Sequence, residues 1–391
     1  MEDLKLDKGV YIVECPNYEP DVVQKAVERL ASLMGGWGKY VCPGEKILLK
    51  PNLLLNKPPE EAVTTHPAVV GAVARGIGGA GGHVVVGDSP GGPLNALLLQ
   101  RVYKGCGMLE AAAGSGAELN YNTREAVLKV PAGGLLASVT VMEAVTDAAG
   151  IISVSKLKTH SLTRLTGAVK NLFGLIPGLK KAEYHVSMPG IKEFSAMLVD
   201  VVRAAAPRLH LMDAVVGMEG EGPSAGEKAQ IGLILGSSCP FALDRVAAAL
   251  VGVEAGEVPT IVESVRRGYI PANVEDIPLI GDPVSLPRVR FSLPPRAIDM
   301  DLLKANTGSF IPGWLLRAIN NRLRPNPAFS PETCLGCGEC SRVCPACAIR
   351  IENKMPRVDL EKCIRCFCCQ ELCPQKAVRI KRPWLGRILF Q

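Results

Sequence analysis

A chain of 391 residues that is 48% hydrophobic and 21% charged is long enough for two or three domains and too apolar to be disordered. It has no uninterrupted apolar run of about 18 residues, which argues against a membrane span. The acidic start MEDLKLDKGVYIVEC lacks the basic-then-apolar layout of a secretory leader, so a cytoplasmic location is expected.

In chain order, five short runs rich in Val, Ile and Leu read as strands: KILLK (46–50), HVVVGD (83–88), GIISVSK (150–156), LHLMD (209–213) and IGLILGS (231–237). Between them HPAVVGAVARGI, GIKEFSAMLVDVVRAAA and FALDRVAAALVG carry helical patterns. Strands without polar alternation, separated by helices, imply an α/β fold with a mostly parallel sheet covered by helices. Ligands of such sheets sit outside the carboxyl ends of the strands. Four of the runs end there in polar or Gly-rich sequence: Lys50-Pro51-Asn52, Asp88-Ser89-Pro90-Gly91-Gly92, Lys156 with Lys158 and His160, and Asp213 followed by Glu219-Gly220-Glu221-Gly222-Pro223.

If the third strand continues to His160, its period of two puts Lys156, Lys158 and His160 on one side. Lys170, Asn171, Lys180, Lys181 and His185 follow, flanked by an apolar stretch, LTGAVKNLFGLIPGL, which a solvated basic loop would not need. This density of cations suits an anionic small molecule: a carboxylate, phosphate or nucleotide. Lys50, Asn52, Lys156, Lys158, Lys170 and Asn171 are the candidate binding residues. His160 and His185 are candidates for proton transfer or a metal, and Asp88 and Asp213 for orienting a group or holding a metal. His83 and His210 begin strands and read as structural, and His66 as a helix cap before Pro67. The run GIGGAG (76–81) satisfies a dinucleotide pattern but follows a helix and precedes a strand, so it reads as a helix stop. GDSPGGP, which follows a strand, is the better candidate for a phosphate contact.

Residues 1–305 are assigned to this α/β domain and 306–329 to an amphipathic helix with a Pro-rich linker. Phe310, Ile311, Trp314, Leu315, Ile319 and Leu323 recur at helical spacing there, a stripe that more often packs on its own protein than on a membrane.

Residues 330–391 form a cysteine-rich unit. Its spacing is Cys334-x2-Cys337-x2-Cys340-x3-Cys344-Pro345, then Cys363-x2-Cys366-x2-Cys369-x3-Cys373-Pro374. Each run is the bacterial ferredoxin pattern, in which the fourth Cys binds the other cluster. Two [4Fe–4S] clusters are therefore expected, one on Cys334, Cys337, Cys340 and Cys373, the other on Cys363, Cys366, Cys369 and Cys344. Zinc sites show two separated pairs, and disulfides fit poorly with a chain lacking a secretion signal. CAIRIE after the first run answers KAVRIK after the second, as duplication within a small α+β domain requires. From Phe310 onward the chain holds 14 Lys and Arg against 6 Asp and Glu, which offsets cluster charge without invoking nucleic acid. Cys347 and Cys368 match no ligand position.

The segments LLKPNLL, TTHPAVVGAV, VVVGDSPGG, SVSKLKTHSLTRLTGAVKNLFGLIPG and MDAVVGMEGEGP, across about residues 45–250, resemble the family called domain of unknown function 362, whose members are often fused to a two-cluster ferredoxin module. The resemblance implies that Lys50, Asn52, His66, Asp88, Lys156, Lys158, His160, Lys170 and Asn171 belong to the family's motifs. It leaves open a further flavin, nucleotide or metal. The expected function is a ferredoxin-coupled oxidoreductase acting on an anionic substrate and served by a redox partner protein. The alternatives are a non-catalytic electron carrier or binding subunit of a larger redox complex, and a cluster-delivery protein using Cys347 and Cys368.

Overall fold

The computed structural model of the protein describes residues 7–294 and 325–381. The helical stripe expected between Phe310 and Leu323 lies outside them, as do residues 295–305 and the tail after Lys381.

The α/β domain is built on one sheet. Its strands are β1 (Val10–Glu14), β2 (Lys46–Pro51), β3 (His83–Val86) and β4 (Glu118–Leu119), then, beyond a separate hairpin of β5 (Glu125–Lys129) and β6 (Ser138–Met142), β7 (Gly150–His160), β8 (Arg164–Thr166), β9 (Leu209–Glu219), β10 (Glu227–Ser237) and β11 (Leu279–Gly281). The spatial order is β11-β1-β10-β9-β7-β2-β3-β4, with β8 beside the end of β7. Neighbours β9, β7, β2, β3 and β4 are parallel, so four of the five expected strands point the same way.

The run at 231–237 departs from that expectation. It lies in β10, antiparallel to both β9 and β1. Only residues 220–226 separate β9 from β10, and a parallel neighbour needs a crossover of about a dozen residues or more. The chain therefore turns back as a hairpin.

Both faces of the sheet are covered, which explains the lack of polar alternation. Ile47, Leu49, Ile152, Val154, Leu209 and Leu211 face one core, packed by the helices Pro20–Leu33 and Pro67–Gly79. Leu48, Ile151, Leu157, Met212 and Leu235 face the other, packed by the helices Ile191–Ala205 and Pro240–Leu250. His66 caps its helix as expected, its ring Nδ1 accepting from the Ala68 N–H at 3.2 Å. Gly76, Gly78 and Gly79 finish that helix, and Gly81 takes a positive φ in the turn beyond it, so GIGGAG is a helix end.

In the cysteine-rich unit β12 (Asn326–Phe329) pairs with β15 (Val378–Lys381), and β13 (Ile349–Glu352) with β14 (Met355–Val358), all antiparallel. The strand alternation of CAIRIE and KAVRIK thus becomes β13 and β15. Residues 326–329, assigned to the linker by their prolines, instead form β12. Pro327 sits on an edge strand, where its missing N–H costs no ladder bond.

Candidate functional site: a lysine-lined pocket facing the cysteine-rich unit

β7 runs unbroken to His160, and Lys156, Lys158 and His160 are each only 1% exposed. That burial rules out a solvated basic loop. The three side chains nevertheless serve two different clusters, because the pairing of β7 with β9 slips between Lys156 and Lys158.

Lys156 remains on the face of Ile152 and Val154. Its ammonium donates to Asp213 Oδ2 at 2.9 Å and to the Tyr18 hydroxyl at 2.7 Å. Tyr18 donates in turn to Asp213 Oδ1 at 2.7 Å, and its ring stacks on His66 with centroids 3.7 Å apart. The His66 N–H completes the set by donating to Asp213 Oδ2 at 2.9 Å. This cluster uses up both oxygens of Asp213. It ties the loop after β1 and the helix from Pro67 to the centre of the sheet, and leaves Asp213 and Lys156 outside the pocket described next.

Beyond the slip, Lys158 and His160 reach a small cavity of about 100 Å³. Lys50, Asn52, Asp88, Lys170, Asn171 and His185 line it too, as expected, and so does Lys181. Lys50 shares the face of Leu48 and is fully buried. Its ammonium is 2.7 Å from Asp88 Oδ1 and donates to Asn171 Oδ1 at 3.1 Å. Asp88 Oδ2 accepts from the Leu53 N–H at 2.7 Å. Gly174 makes this pair possible, since a Cβ there would lie 2.1 Å from Asp88 Oδ1 and 2.6 Å from Lys50 Nζ.

Lys158 donates to Asn52 Oδ1 at 2.9 Å and the Val63 carbonyl at 2.6 Å. Lys181 donates to the carbonyls of Ser89 and Pro90 and to Ser89 Oγ. Lys170 lies 4.8 Å over the Phe173 ring and has no hydrogen-bond acceptor among the described residues. Its short helix, Ala168–Asn171, is anchored at its start by Asp244, which accepts from the Ala168 and Val169 N–H groups at 2.6 and 3.1 Å. Burial raises the Asp244 carboxyl to about 7 against the pull of those two bonds. Burial lowers Lys50 and Lys170, and brings Lys158 and Lys181 down to about 7.

The remaining wall comes from the cysteine-rich unit: Val343, Cys368, Glu371 and Leu372. The short helix Cys368–Glu371 docks here. Gln370 donates to the Glu221 carbonyl at 2.8 Å and accepts from Ser161 Oγ at 3.3 Å, while Ser224 Oγ donates to its backbone carbonyl at 3.4 Å. Lys376 pairs with Glu61 at 3.1 Å. Gly91 provides room for Leu372, whose Cδ2 would be 2.0 Å from a Cβ at that position. Glu371 Oε1 stands 2.9 Å from His160 Nε2.

The protonation of that last contact follows from its surroundings. His160 Nδ1 accepts from the Leu162 and Thr163 N–H groups at 3.0 and 3.3 Å, so the proton of a neutral ring belongs on Nε2, facing the carboxylate. Burial lowers the His160 pKa and favours this neutral form. Burial alone would raise Glu371, but the facing His160 and the Lys170 ammonium outweigh it and hold the carboxyl below the usual range. His185 is lowered to about 4 by burial and stacks on Phe194 at 4.5 Å.

The thiols of the two runs lie close to one another. Cys340 lies within electrostatic reach of Cys337, Cys373 and Cys334, and Cys369 within reach of Cys366, Cys363, Cys344 and Cys340. The two halves match in backbone detail. Positive φ recurs at Gly336 and Arg365, at Gly338 and Phe367, and at Cys347 and Lys376, each pair 29 residues apart. The Ala348 N–H donates to Cys344 Sγ and the Ala377 N–H to Cys373 Sγ, both at 3.3 Å. Loops wound this way turn amide groups towards the sulfurs and favour the negative charge of a cluster, so the residues present fit [4Fe–4S] ligation.

Four site residues lacked a role in the sequence reading. Lys181 was visible only as one of several cations in its segment, and Tyr18 and Asp244 carried no signal at all. Glu371 had one: with Cys340 aligned on Cys369, the first half has Ser341-Arg342 where the second has Gln370-Glu371, and Glu339 where the second has Cys368. The duplication breaks at the residues that meet the α/β domain.

Comparison with known proteins agrees with this division. Residues 47–249 match the family described as Domain of unknown function (DUF362), and residues 326–374 match a 4Fe-4S dicluster domain. A thylakoid-associated protein of Synechocystis sp. is 31% identical over 293 residues, which cover 72% of this chain and 85% of that relative. Among solved structures, the lactate racemase apoprotein of Thermoanaerobacterium thermosaccharolyticum aligns with a TM-score of 0.38 at 12% identity, over 65% of this chain and 59% of the racemase. A Thermotoga maritima protein aligns with a TM-score of 0.36 at 15% identity, over 62% of this chain and 61% of its own. No helix among the described residues is long and apolar enough to cross a membrane. The chain is an iron–sulfur protein of the DUF362 family, in which the α/β domain is followed by a C-terminal ferredoxin module.

Proposed function

We propose that the protein is a ferredoxin-coupled oxidoreductase that binds an organic anion in the lysine-lined pocket and reduces it. Two [4Fe–4S] clusters are assigned, one to Cys334, Cys337, Cys340 and Cys373, the other to Cys363, Cys366, Cys369 and Cys344. When bound, they supply electrons one at a time. The observation that carries the reading is the shared wall: Cys368, Glu371 and Leu372, interleaved with thiols of both sets, line the same cavity as Lys50, Lys158, Lys170 and Lys181.

Lys158, Lys170 and Lys181 hold the anion, and the Lys50–Asp88 pair with Asn171 shapes the floor. His160 keeps Glu371, and with it the docked helix, against the pocket. Two-electron reduction of the bound anion consumes two protons and two electrons, the electrons originating in a reduced one-electron carrier protein. Lys158 and Lys181, brought to about 7 mainly by burial, are matched to donate the protons at neutral pH. The histidines suit this task less. His160 Nδ1 already accepts from two backbone N–H groups and burial favours its neutral form, and His185 is lowered to about 4.

The test is anaerobic. Full-length protein is reduced with dithionite, freed of excess reductant and mixed with a panel of organic acids and phosphate esters, and recovery of the cluster absorbance is followed. At least one anion should reoxidise the wild type, and Lys170→Ala should slow that rate at least tenfold with iron content unchanged. Equal rates in the two proteins would remove the lysine pocket from the reaction.

A further inference from the structure

Once Asp88 is assigned to Lys50 at 2.7 Å, the pocket holds three more ammonium groups and a single further carboxylate. That carboxylate, Glu371, is also engaged by His160. Lys158 and Lys181 donate only to neutral oxygens, and Lys170 has no acceptor among the described residues. With all lysines protonated, and cluster charge set aside, the side chains lining this buried space carry an excess of two positive charges. Uncompensated buried charge is costly unless it is paired on binding. A monoanion would leave one ammonium unmatched, and a trianion would overshoot. Leu54, Phe173, Leu179 and Leu372 supply an apolar wall beside the lysines.

We propose that the ligand of this pocket is a small organic anion bearing two negative charges and a short apolar body, with Lys158, Lys170 and Lys181 as its charge-binding residues. This rests on the reading of the pocket as an anion site.

The inference has a protonic consequence. Lys158 is depressed first by burial and then by Lys170, with Lys156 adding to that and Glu371 and Asp88 opposing. Lys181 is depressed first by burial, then by Lys50 and Lys170, with Asp88 and Glu371 opposing. A dianion among them raises both pKa values, so above about pH 7 binding must take up protons.

The experiment is anaerobic titration calorimetry on the cluster-loaded full-length protein at pH 8 and pH 6.5, in two buffers of different ionisation enthalpy. Succinate and phenyl phosphate serve as dianions, butyrate and benzoate as monoanions. At least one dianion should bind no less than tenfold more tightly than its singly charged counterpart at pH 8, and its structure separates the dicarboxylate from the phosphate source. Succinate should take up between one and two protons at pH 8 and fewer at pH 6.5. Lys158→Met and Lys181→Met should each weaken binding at least tenfold and remove about one proton, whereas Lys180→Met, one residue away and half exposed, should do neither. Comparable binding of mono- and dianions, or binding without proton uptake, would overturn the dianion inference while leaving the anion site standing. If none of the four anions binds, both the inference and the anion site fall.

Discussion

Cys373→Ala should reduce the bound iron from about eight atoms per chain to about four, and which second substitution removes more tests the crossed ligand assignment. Cys373 belongs by sequence to the second run, yet it lies within electrostatic reach of Cys340 of the first. The double variant Cys334→Ala with Cys373→Ala should therefore lose no more iron than Cys373→Ala alone, because both thiols serve one cluster. Cys363→Ala with Cys373→Ala should lose nearly all of it. Iron and acid-labile sulfide on anaerobically purified protein provide the readout. If the Cys363 and Cys373 double variant retains as much iron as the single variant, ligation is by consecutive runs instead. Cys368→Ala should retain full iron, since Cys368 lies on the pocket wall and outside both sets.

Asp213→Asn should destabilise the α/β domain by about 3–5 kcal/mol, the usual cost of removing one partner from a buried ion pair. Lys156 and Asp213 are 2.9 Å apart with side chains only 1% and 0% exposed, so no water can take over the lost charge. The amide also loses an acceptor that now serves Tyr18 or the His66 N–H. Tyr18→Phe, which removes one hydroxyl and keeps the ring on His66, should cost only about 1–2 kcal/mol. Urea unfolding of cluster-loaded protein, followed by far-ultraviolet circular dichroism, measures both. A midpoint for Asp213→Asn at or above that of Tyr18→Phe would mean that the pair does not anchor the sheet.

These two experiments probe parts of the molecule that differ in how far the sequence alone revealed them. The ferredoxin module was the more legible. Its thiol spacing is a local property of two loops, and their repetition, with a strand after each, left few other arrangements. The apolar runs identified the parallel centre of the sheet for a similar reason, since strands covered on both faces have no polar period. The hairpin into β10 was legible in principle, because residues 220–226 are too few for a crossover, but its apolar content matched that of its parallel neighbours.

The pocket was legible as a set of residues and not as an assembly. Lys50, Asn52, Asp88, Lys158, His160, Lys170, Asn171 and His185 do meet there. Nothing local, however, distinguished Lys156 from Lys158, which stand two residues apart with the same chemistry. Their separation comes from a register slip against β9 and from the arrival of Tyr18 about 140 residues earlier in the chain. Glu371, Cys368 and Leu372 reach the lysines only because the module docks through Gln370 and Gly91 makes room. What the sequence determined by itself were the properties carried by neighbouring residues: thiol spacing, strand and helix periods, and the stock of cations. What only the tertiary structure decided was which cations share a low-dielectric cavity and which of them are paired with a carboxylate, because those depend on distances between segments that the chain brings together only on folding.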